Sequence, residues 1–416
     1  MVRSKSLKLG IHGILIFPLF FGVVDLLAVY NSGYEYSMAK YVELSFYEGV
    51  RWLALCGVFY ITGLLSFILF CRNWSGSETQ TRRFSHFGIK NVNSVFRFIF
   101  FSIAVYKIIF IFNYGLVGFS IGARQGDIPI GHALYFVLLM LPFVLAYDVQ
   151  VKGFNLYVKI ALLILIFLNL ATGFRGLLVW GMFIITFFNS ERVLNIGVTK
   201  ITTFVCFIGL LFVSYEGFRE SIAGGILPDR TLIDSLNRTN VLSYLRLIDE
   251  TGVSVGLKAL IKMWTDPFFV FVRSVGAPTD ALVNVFYFHD EVYTPLFQDY
   301  LAWRGTPNAV AGGFSLGIIS WSFLFGKYVG VLVFGFFYGW FLAVGTKLMD
   351  TNIYEKKLIG LVLISGCFWA NESVLEATRS VVYSLVFLVA VFLVVLAIQM
   401  IPSNLRTNRN FKIKVS

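Results

Sequence analysis

Residues 11–30, IHGILIFPLFFGVVDLLAVY, form the first long apolar run of the chain, and apart from His12 the only ionisable side chains in it are those of Asp25 and Tyr30. An α-helix rises about 1.5 Å per residue, so a run of this length reaches across the roughly 30 Å hydrocarbon core of a bilayer. It is too long for the apolar part of a cleavable signal peptide and has no A-x-A cleavage site. The stretch therefore predicts a first membrane-spanning helix.

The composition extends this reading to the whole chain. Of 416 residues, 57% are hydrophobic, 18% are aromatic and only 14% are charged, and the mean hydropathy is +0.78. These values exclude a soluble globular enzyme and a disordered chain. The apolar residues form continuous runs rather than alternating, which disfavours an outer-membrane barrel. The fold class predicted is an all-α polytopic integral membrane protein.

Counting the apolar runs gives about ten transmembrane helices, with nine to eleven compatible with the sequence. Residues 312–326 are apolar but rich in glycine, which indicates a re-entrant or interfacial segment. The predicted spans are 11–30, 50–71, 94–114, 132–149, 155–172, 176–190, 200–216, 328–347, 357–371 and 380–401. The predicted organisation is an N-terminal bundle of about seven helices (1–216), a large loop (217–311), a C-terminal membrane region (312–401) and a basic tail (402–416).

The basic residues predict the topology. The N-terminus, alternate short loops and the C-terminal tail hold roughly half of the 34 lysines and arginines, whereas the first loop on the opposite side, 31–49, is acidic. By the positive-inside rule both termini are cytoplasmic. The net charge of +11 is then a feature of topology and does not indicate a nucleic-acid partner.

The same topology places loop 217–311 on the outer face. It holds eight basic and ten acidic residues, and 231–250 and 254–264 each have leucines and isoleucines at helical spacing. A loop of this length is rarely without structure of its own. We expect a small folded helical cap that concentrates the polar chemistry.

Motifs for nucleotide, metal or redox chemistry are absent from the sequence. It contains no Walker A motif, GxGxxG, HExxH or DxD, its four histidines are scattered, and its four cysteines lie in or beside apolar runs without metal-like spacing. We expect no metal and no cofactor, and no disulfide framework.

Six arginines of the predicted outer face are candidates for binding an anion. Arg175 lies in the turn ATGFRG between two apolar runs, where a guanidinium at partial membrane depth needs an anion or a water-filled cavity, and arginine suits phosphate. For each arginine the alternative is a solvated or headgroup-contacting side chain. The candidates are Arg124, Arg175, Arg219, Arg246, Arg273 and Arg304.

Acidic and histidine residues supply candidates for a general base. His289, Asp290 and Glu291 are consecutive in the large loop, and either an imidazole or a carboxylate can accept a proton. Glu372 is a second candidate, since it shares a helix face with Glu376 and Arg379 if helix continues there. Inside the spans, Asp25 and Lys107 lie at similar depth, and we expect them to pair or to line one cavity.

Two segments resemble the O-antigen polymerases of the Wzy type. The turn TGFRGLL (172–178) is similar to the TG-x-R-G segment of that family, and GGFSLG (312–317) followed by FGKYVG (325–330) is similar to its Gly-rich stretch and xFGxxG helix start. The order of arginine turn, large outer loop, Gly-rich segment and late helices is also the same.

The resemblance implies a GT-C-like, metal-independent glycosyltransferase of the bacterial inner membrane. Its substrates would be oligosaccharide repeat units on undecaprenyl diphosphate, joined at the periplasmic face, and a chain-length regulator protein would be a possible partner alongside membrane lipid. The arginines above would hold the diphosphate, and His289, Asp290, Glu291 or Glu372 would act as the base. Two alternatives remain open: an O-antigen ligase, and a lipid-linked oligosaccharide flippase or other transporter.

Overall fold

The computed structural model describes residues 2–31, 44–72, 241–251, 317–351, 354–371 and 374–400, with isolated helical positions between 94 and 112 and at 160 and 164. Within these residues there are six helices and no strand. They are α1 (Val2–Asn31), α2 (Phe46–Arg72), α3 (Val241–Thr251), α4 (Ile318–Asp350), α5 (Tyr354–Ala370) and α6 (Val374–Met400). Of the other predicted spans, 94–114 is described at isolated helical positions only, and 132–149, 155–172, 176–190 and 200–216 lie wholly or almost wholly outside the described residues.

Three of the described stretches are long and apolar enough to cross a membrane: Gly13–Tyr30, Phe46–Cys71 and Ile318–Met349. Helix α1 begins earlier than the predicted span 11–30, and α2 begins before residue 50. The extension of α2 has a local cause. The Ser45 hydroxyl accepts a hydrogen bond from the Glu48 amide (3.3 Å), and Glu48 Oε2 accepts one from the Ser45 amide (3.2 Å), which is a capping box at the helix N-terminus.

Helices α1 and α2 pack as an antiparallel pair. The end of α1 meets the start of α2 through the rings of Tyr30 and Phe46, whose centroids are 5.9 Å apart. Farther along, Leu15 of α1 lies against Gly63 of α2. Trp52 and Phe59 of α2 are among the largest fully buried side chains, and their rings pack against Phe323 and Tyr338 of α4.

Helix α4 reverses direction at Gly326 and Lys327, the two residues in it whose backbone angles are not helical. A Cβ on Gly330 would overlap the carbonyl oxygen of Ser322, although these residues would be about 12 Å apart along one straight helix. Likewise Gly317 and Tyr338 both contact Asn371. The first leg, 318–325, therefore folds back against the second leg, 328–350, as a helical hairpin.

The second leg of α4 runs parallel to α2 and in very close contact with it. A Cβ on Gly339 would overlap the carbonyl oxygen of Gly63, and Ser66 Oγ donates to the Phe336 carbonyl at 2.7 Å. In this part of the contact small residues let the two backbones touch, as is common between membrane helices. The second leg alone is long enough to span a bilayer.

Helices α5 and α6 complete the described bundle. Gly360 of α5 packs against the backbone of α4: a Cβ on Gly360 would lie 2.6 Å from the carbonyl oxygen of Gly345. Gly366 of α5 packs against Val381 of α6. A buried polar contact lies where α5 ends. There Tyr338 Oη donates to the Cys367 carbonyl at 2.9 Å and lies 3.1 Å from Asn371 Oδ1.

Candidate functional site

Helix α3 lies across the end of the bundle at which α1 ends, α2 begins and the α4 hairpin turns. It belongs to the loop predicted to form an outer cap, and it is the described part of the helix predicted for 231–250. Its residues Leu242, Arg246 and Asp249 are spaced i, i+4 and i+7, so they lie along one face. Each of them makes a polar contact with a different helix of the bundle.

The N-terminus of α3 is bound by Asp25 of α1. The amide of Leu242 donates to Asp25 Oδ2 at 2.8 Å, and the Asp25 side chain is 0% exposed. A carboxylate at this position satisfies one of the amides that a helix leaves unpaired and interacts favourably with the helix dipole. Lys107, the predicted partner of Asp25, lies outside the described residues, so that pairing stays a prediction.

The middle of α3 is bound by Glu48 of α2. Arg246 Nη1 lies 3.0 Å from Glu48 Oε1, and both side chains are 29% exposed. The other carboxylate oxygen, Oε2, accepts from the Ser45 hydroxyl at 2.9 Å. The capping box of α2 thus holds Glu48 in the orientation that Arg246 requires.

The C-terminal turn of α3 faces the tip of the α4 hairpin. Lys327 Nζ lies 3.5 Å from Asp249 Oδ1, with the side chains 33% and 25% exposed. Beside it, Arg51 Nη2 donates to the Tyr328 hydroxyl at 2.8 Å. We call Glu48, Arg51, Arg246, Asp249 and Lys327 the α3 charge cluster; its three cations and two carboxylates sum to +1.

Lys327 has an unusual backbone conformation. Its backbone angles are φ 46° and ψ −132°. No other non-glycine residue in the described part of the chain has a positive φ. Only glycine adopts this region readily, and other residues in such conformations cost about 1–3 kcal/mol each. The preceding glycine, Gly326, instead has a negative φ, with φ of −160° and ψ of 19°.

Three buried polar atoms on the helices that carry the charge cluster have no hydrogen-bond partner within the described residues: Trp52 Nε1, Ser243 Oγ and Ser320 Oγ. Trp52 is one turn beyond Glu48 on α2, and its ring packs edge-on against Phe323, 5.4 Å between centroids. Ser243 is one turn before Arg246 on α3. Helical spacing puts Trp52 on the same face of α2 as Glu48, and Ser243 on the same face of α3 as Arg246. Each group can hydrogen-bond to a water molecule or a ligand, and leaving it unpaired costs about 1–3 kcal/mol.

Of the candidate residues taken from the sequence, the structure describes Arg246, which it places in the charge cluster. The remaining candidates lie outside the described residues, and their roles stay predictions: Arg124, Arg175, Arg219, Arg273, Arg304, His289, Asp290, Glu291 and Glu372. Helix α6 begins at Val374 and includes Glu376 and Arg379 in its first turns. Among the described residues no three His, Cys, Asp or Glu side chains are grouped so as to hold a metal ion.

Sequence reasoning did not select Arg51 or Lys327. Arg51 looks like an ordinary basic residue at a helix end, although the adjacent Trp52 and the S-x-x-E capping box mark that end in the sequence. Lys327 lies inside the FGKYVG segment, where the glycines draw attention first. Their relation to Asp249 and Tyr328 depends on contacts between distant parts of the chain.

Comparisons with protein-family models, with curated proteins and with solved structures give no match for this chain.

Proposed function

We propose that this protein is a membrane-embedded glycosyltransferase of the O-antigen polymerase type. It joins oligosaccharide repeat units carried on undecaprenyl diphosphate, at the periplasmic face of a bacterial inner membrane, with both termini in the cytoplasm. The growing chain is transferred from its lipid carrier to the non-reducing end of a new unit. The proposal starts from the resemblance of segments 172–178 and 312–330 to that family.

One structural observation carries the proposal furthest. Arg246, a candidate diphosphate ligand from the predicted outer loop, lies together with Arg51 and Lys327 at the end of the apolar helices. An amphiphilic substrate needs cations for its diphosphate next to an apolar surface for its lipid. Exposed Phe46, Tyr47 and Val50 on the first turns of α2 provide such a surface.

The reaction needs no nucleotide or metal in this scheme. A base on the protein takes the proton of the acceptor hydroxyl, whose oxygen forms a bond to the anomeric carbon of the donor chain. The bond from that carbon to the diphosphate oxygen breaks, and undecaprenyl diphosphate leaves with the negative charge. Cationic side chains stabilise the charge that develops on this leaving group. His289, Asp290, Glu291 and Glu372 are the candidates for the base.

Deleting the gene in its native strain and separating the surface glycans on a gel tests the function. A polymerase deletion removes the ladder of long chains and leaves a single capped repeat unit. Loss of all added sugar would instead indicate a ligase or a flippase. An unchanged ladder would refute all three functions.

Arg175 is the residue for the companion test. We expect Arg175→Ala and Arg175→Lys both to abolish chain extension at normal protein level, because a lysine cannot reproduce the bidentate contact with a phosphate. Arg406→Ala, in the predicted cytoplasmic tail, is the matched control and should leave the ladder intact. A normal ladder from Arg175→Ala would remove Arg175 from the site.

A further inference from the structure

The three cations of the α3 charge cluster come from three separate parts of the chain. Arg51 is on α2, Arg246 on α3 and Lys327 at the tip of the α4 hairpin. The carboxylates of Glu48 and Asp249 lie between them: each is ion-paired with one cation, and both also interact electrostatically with Arg51. The three cations thus resemble an anion-binding site in which the carboxylates of Glu48 and Asp249 take the place of the bound anion.

The two carboxylates hold this position weakly. Both ion pairs are a quarter to a third exposed, and partly exposed pairs contribute only about 0.2–1 kcal/mol. The Lys327–Asp249 separation of 3.5 Å is also longer than the 2.7–2.9 Å of a strong charged hydrogen bond. A phosphate carries more charge than one carboxylate and offers several acceptor oxygens to the same cations. A lipid-linked diphosphate, which has two such groups, can therefore compete with the two carboxylates for these cations.

The backbone at Lys327 is an independent indication of function. A glycine would adopt the φ of 46° without strain, yet the chain places a lysine there. Strained backbone of this kind is concentrated at functional sites, where the side chain is required despite the cost. One partly exposed ion pair is too weak to repay a strain of about 1–3 kcal/mol. A ligand that binds the Lys327 ammonium more strongly than Asp249 does would explain why a lysine occupies this strained position.

We propose that Arg51, Arg246 and Lys327 form a binding site for the phosphate group of a phosphorylated lipid, which Glu48 and Asp249 occupy until the lipid displaces them. In the proposed function, on which this inference rests, the lipid is the diphosphate-linked substrate. Because Arg246 and Asp249 are both on α3, displacement of the carboxylates also loosens this helix from α2 and α4. Substrate binding and the release of α3 are then one event.

The test is a binding titration on the full-length protein in phosphatidylcholine nanodiscs at low ionic strength. The probes are farnesyl diphosphate, inorganic pyrophosphate and, without phosphate, farnesol. We expect Arg51→Gln and Lys327→Gln each to weaken farnesyl diphosphate binding about tenfold. Glu48→Gln and Asp249→Asn should tighten it severalfold, because they remove the internal competitors. The matched controls, Lys356→Gln and Glu355→Gln at the opposite end of the bundle, should change nothing.

The possible outcomes distinguish the proposed phosphate site from the proposed function of the protein. Tighter binding by the Glu48 and Asp249 variants supports the proposal. If only farnesyl diphosphate binds, the ligand of the site is a phosphorylated lipid. If pyrophosphate binds as well, the ligand is a free phosphate. Equal or weaker binding by these variants overturns it, as does equal binding of farnesol. If the gene deletion leaves long glycan chains intact while this pattern holds, the proposed function fails and the site remains. If the deletion removes the ladder but the pattern is absent, the function remains and the site fails.

Discussion

Lys327 is the position at which stability and function should separate most clearly. Replacing it with alanine removes the ion pair with Asp249 but keeps a Cβ at a backbone φ of 46°. Replacing it with glycine removes the same ion pair and also the strain, because glycine adopts this conformation readily. The two variants differ only in the strain and in the flexibility of the unfolded chain.

The expected difference follows from these terms. Relief of the strain is worth about 1–3 kcal/mol, and the greater freedom of a glycine in the unfolded state takes back up to about 1 kcal/mol. We therefore expect the glycine variant to be about 1–2 kcal/mol more stable than the alanine variant. For domains of 150–250 residues, 1 kcal/mol shifts the unfolding midpoint by about 2–4 °C, so we expect a difference of a few degrees. Both variants should bind farnesyl diphosphate more weakly than the unaltered protein.

Thermal unfolding in detergent, followed with a thiol-reactive fluorophore in a background with Cys71 and Cys206 replaced by serine, measures this difference. Cys56 and Cys367 are buried and unpaired, so they react only when the helices separate. Gly13→Ala is the control: Gly13 is helical in α1, and nothing lies within 4 Å of an added Cβ, so its midpoint should be unchanged or higher. If the glycine variant at 327 melts at or below the alanine variant, the strain argument is refuted.

Three further predictions concern the bundle and the attachment of α3. Gly339→Ala should lower the free energy of unfolding by about 1–3 kcal/mol, because the added Cβ meets the α2 backbone, whereas Gly57→Ala, with nothing within 4 Å, should not; thermal unfolding of the pair checks this. A double-mutant cycle of Glu48→Gln and Arg246→Gln should give a coupling of no more than about 1 kcal/mol, since the pair is partly exposed, and a coupling above 3 kcal/mol would contradict a displaceable ion pair. Asp25→Ala should raise the protease sensitivity of α3 in the folded protein by removing a hydrogen bond to a charged group worth about 1.5–3 kcal/mol; unchanged cleavage there would show that Asp25 does not anchor the helix.

The reversal of direction in α4 is a feature that the sequence does not predict. Glycine adopts a positive φ most readily, and the segment FGKYVG has Gly326 directly before Lys327. In the structure Lys327 has the positive φ, and Gly326 has a φ of −160°. The reason is tertiary, because the turn has to bring Ser322 against Gly330 and Gly317 against Asn371 at the same time.

Some residues of the candidate site can be identified from the sequence and others cannot. Arg246 is identifiable because an arginine in a long outer loop is a natural anion ligand, and the capping box formed by Ser45 and Glu48 is visible as S-x-x-E in the sequence. Arg51 and Lys327 are not identifiable, since nothing local connects them with α3. Their partners are set by which helices pack together.

The sequence by itself determines that this is a helical protein with apolar segments long enough to cross a bilayer. It does so because helix hydrogen bonds and hydrophobic runs are local properties that composition and length encode. Only the tertiary structure decides that α4 folds back on itself, that α3 lies over the ends of three other elements, and that its charges meet Glu48 and Lys327. Those contacts join residues far apart in the chain, and their energies depend on close packing between backbones, as at Gly63 and Gly339, which no local pattern specifies.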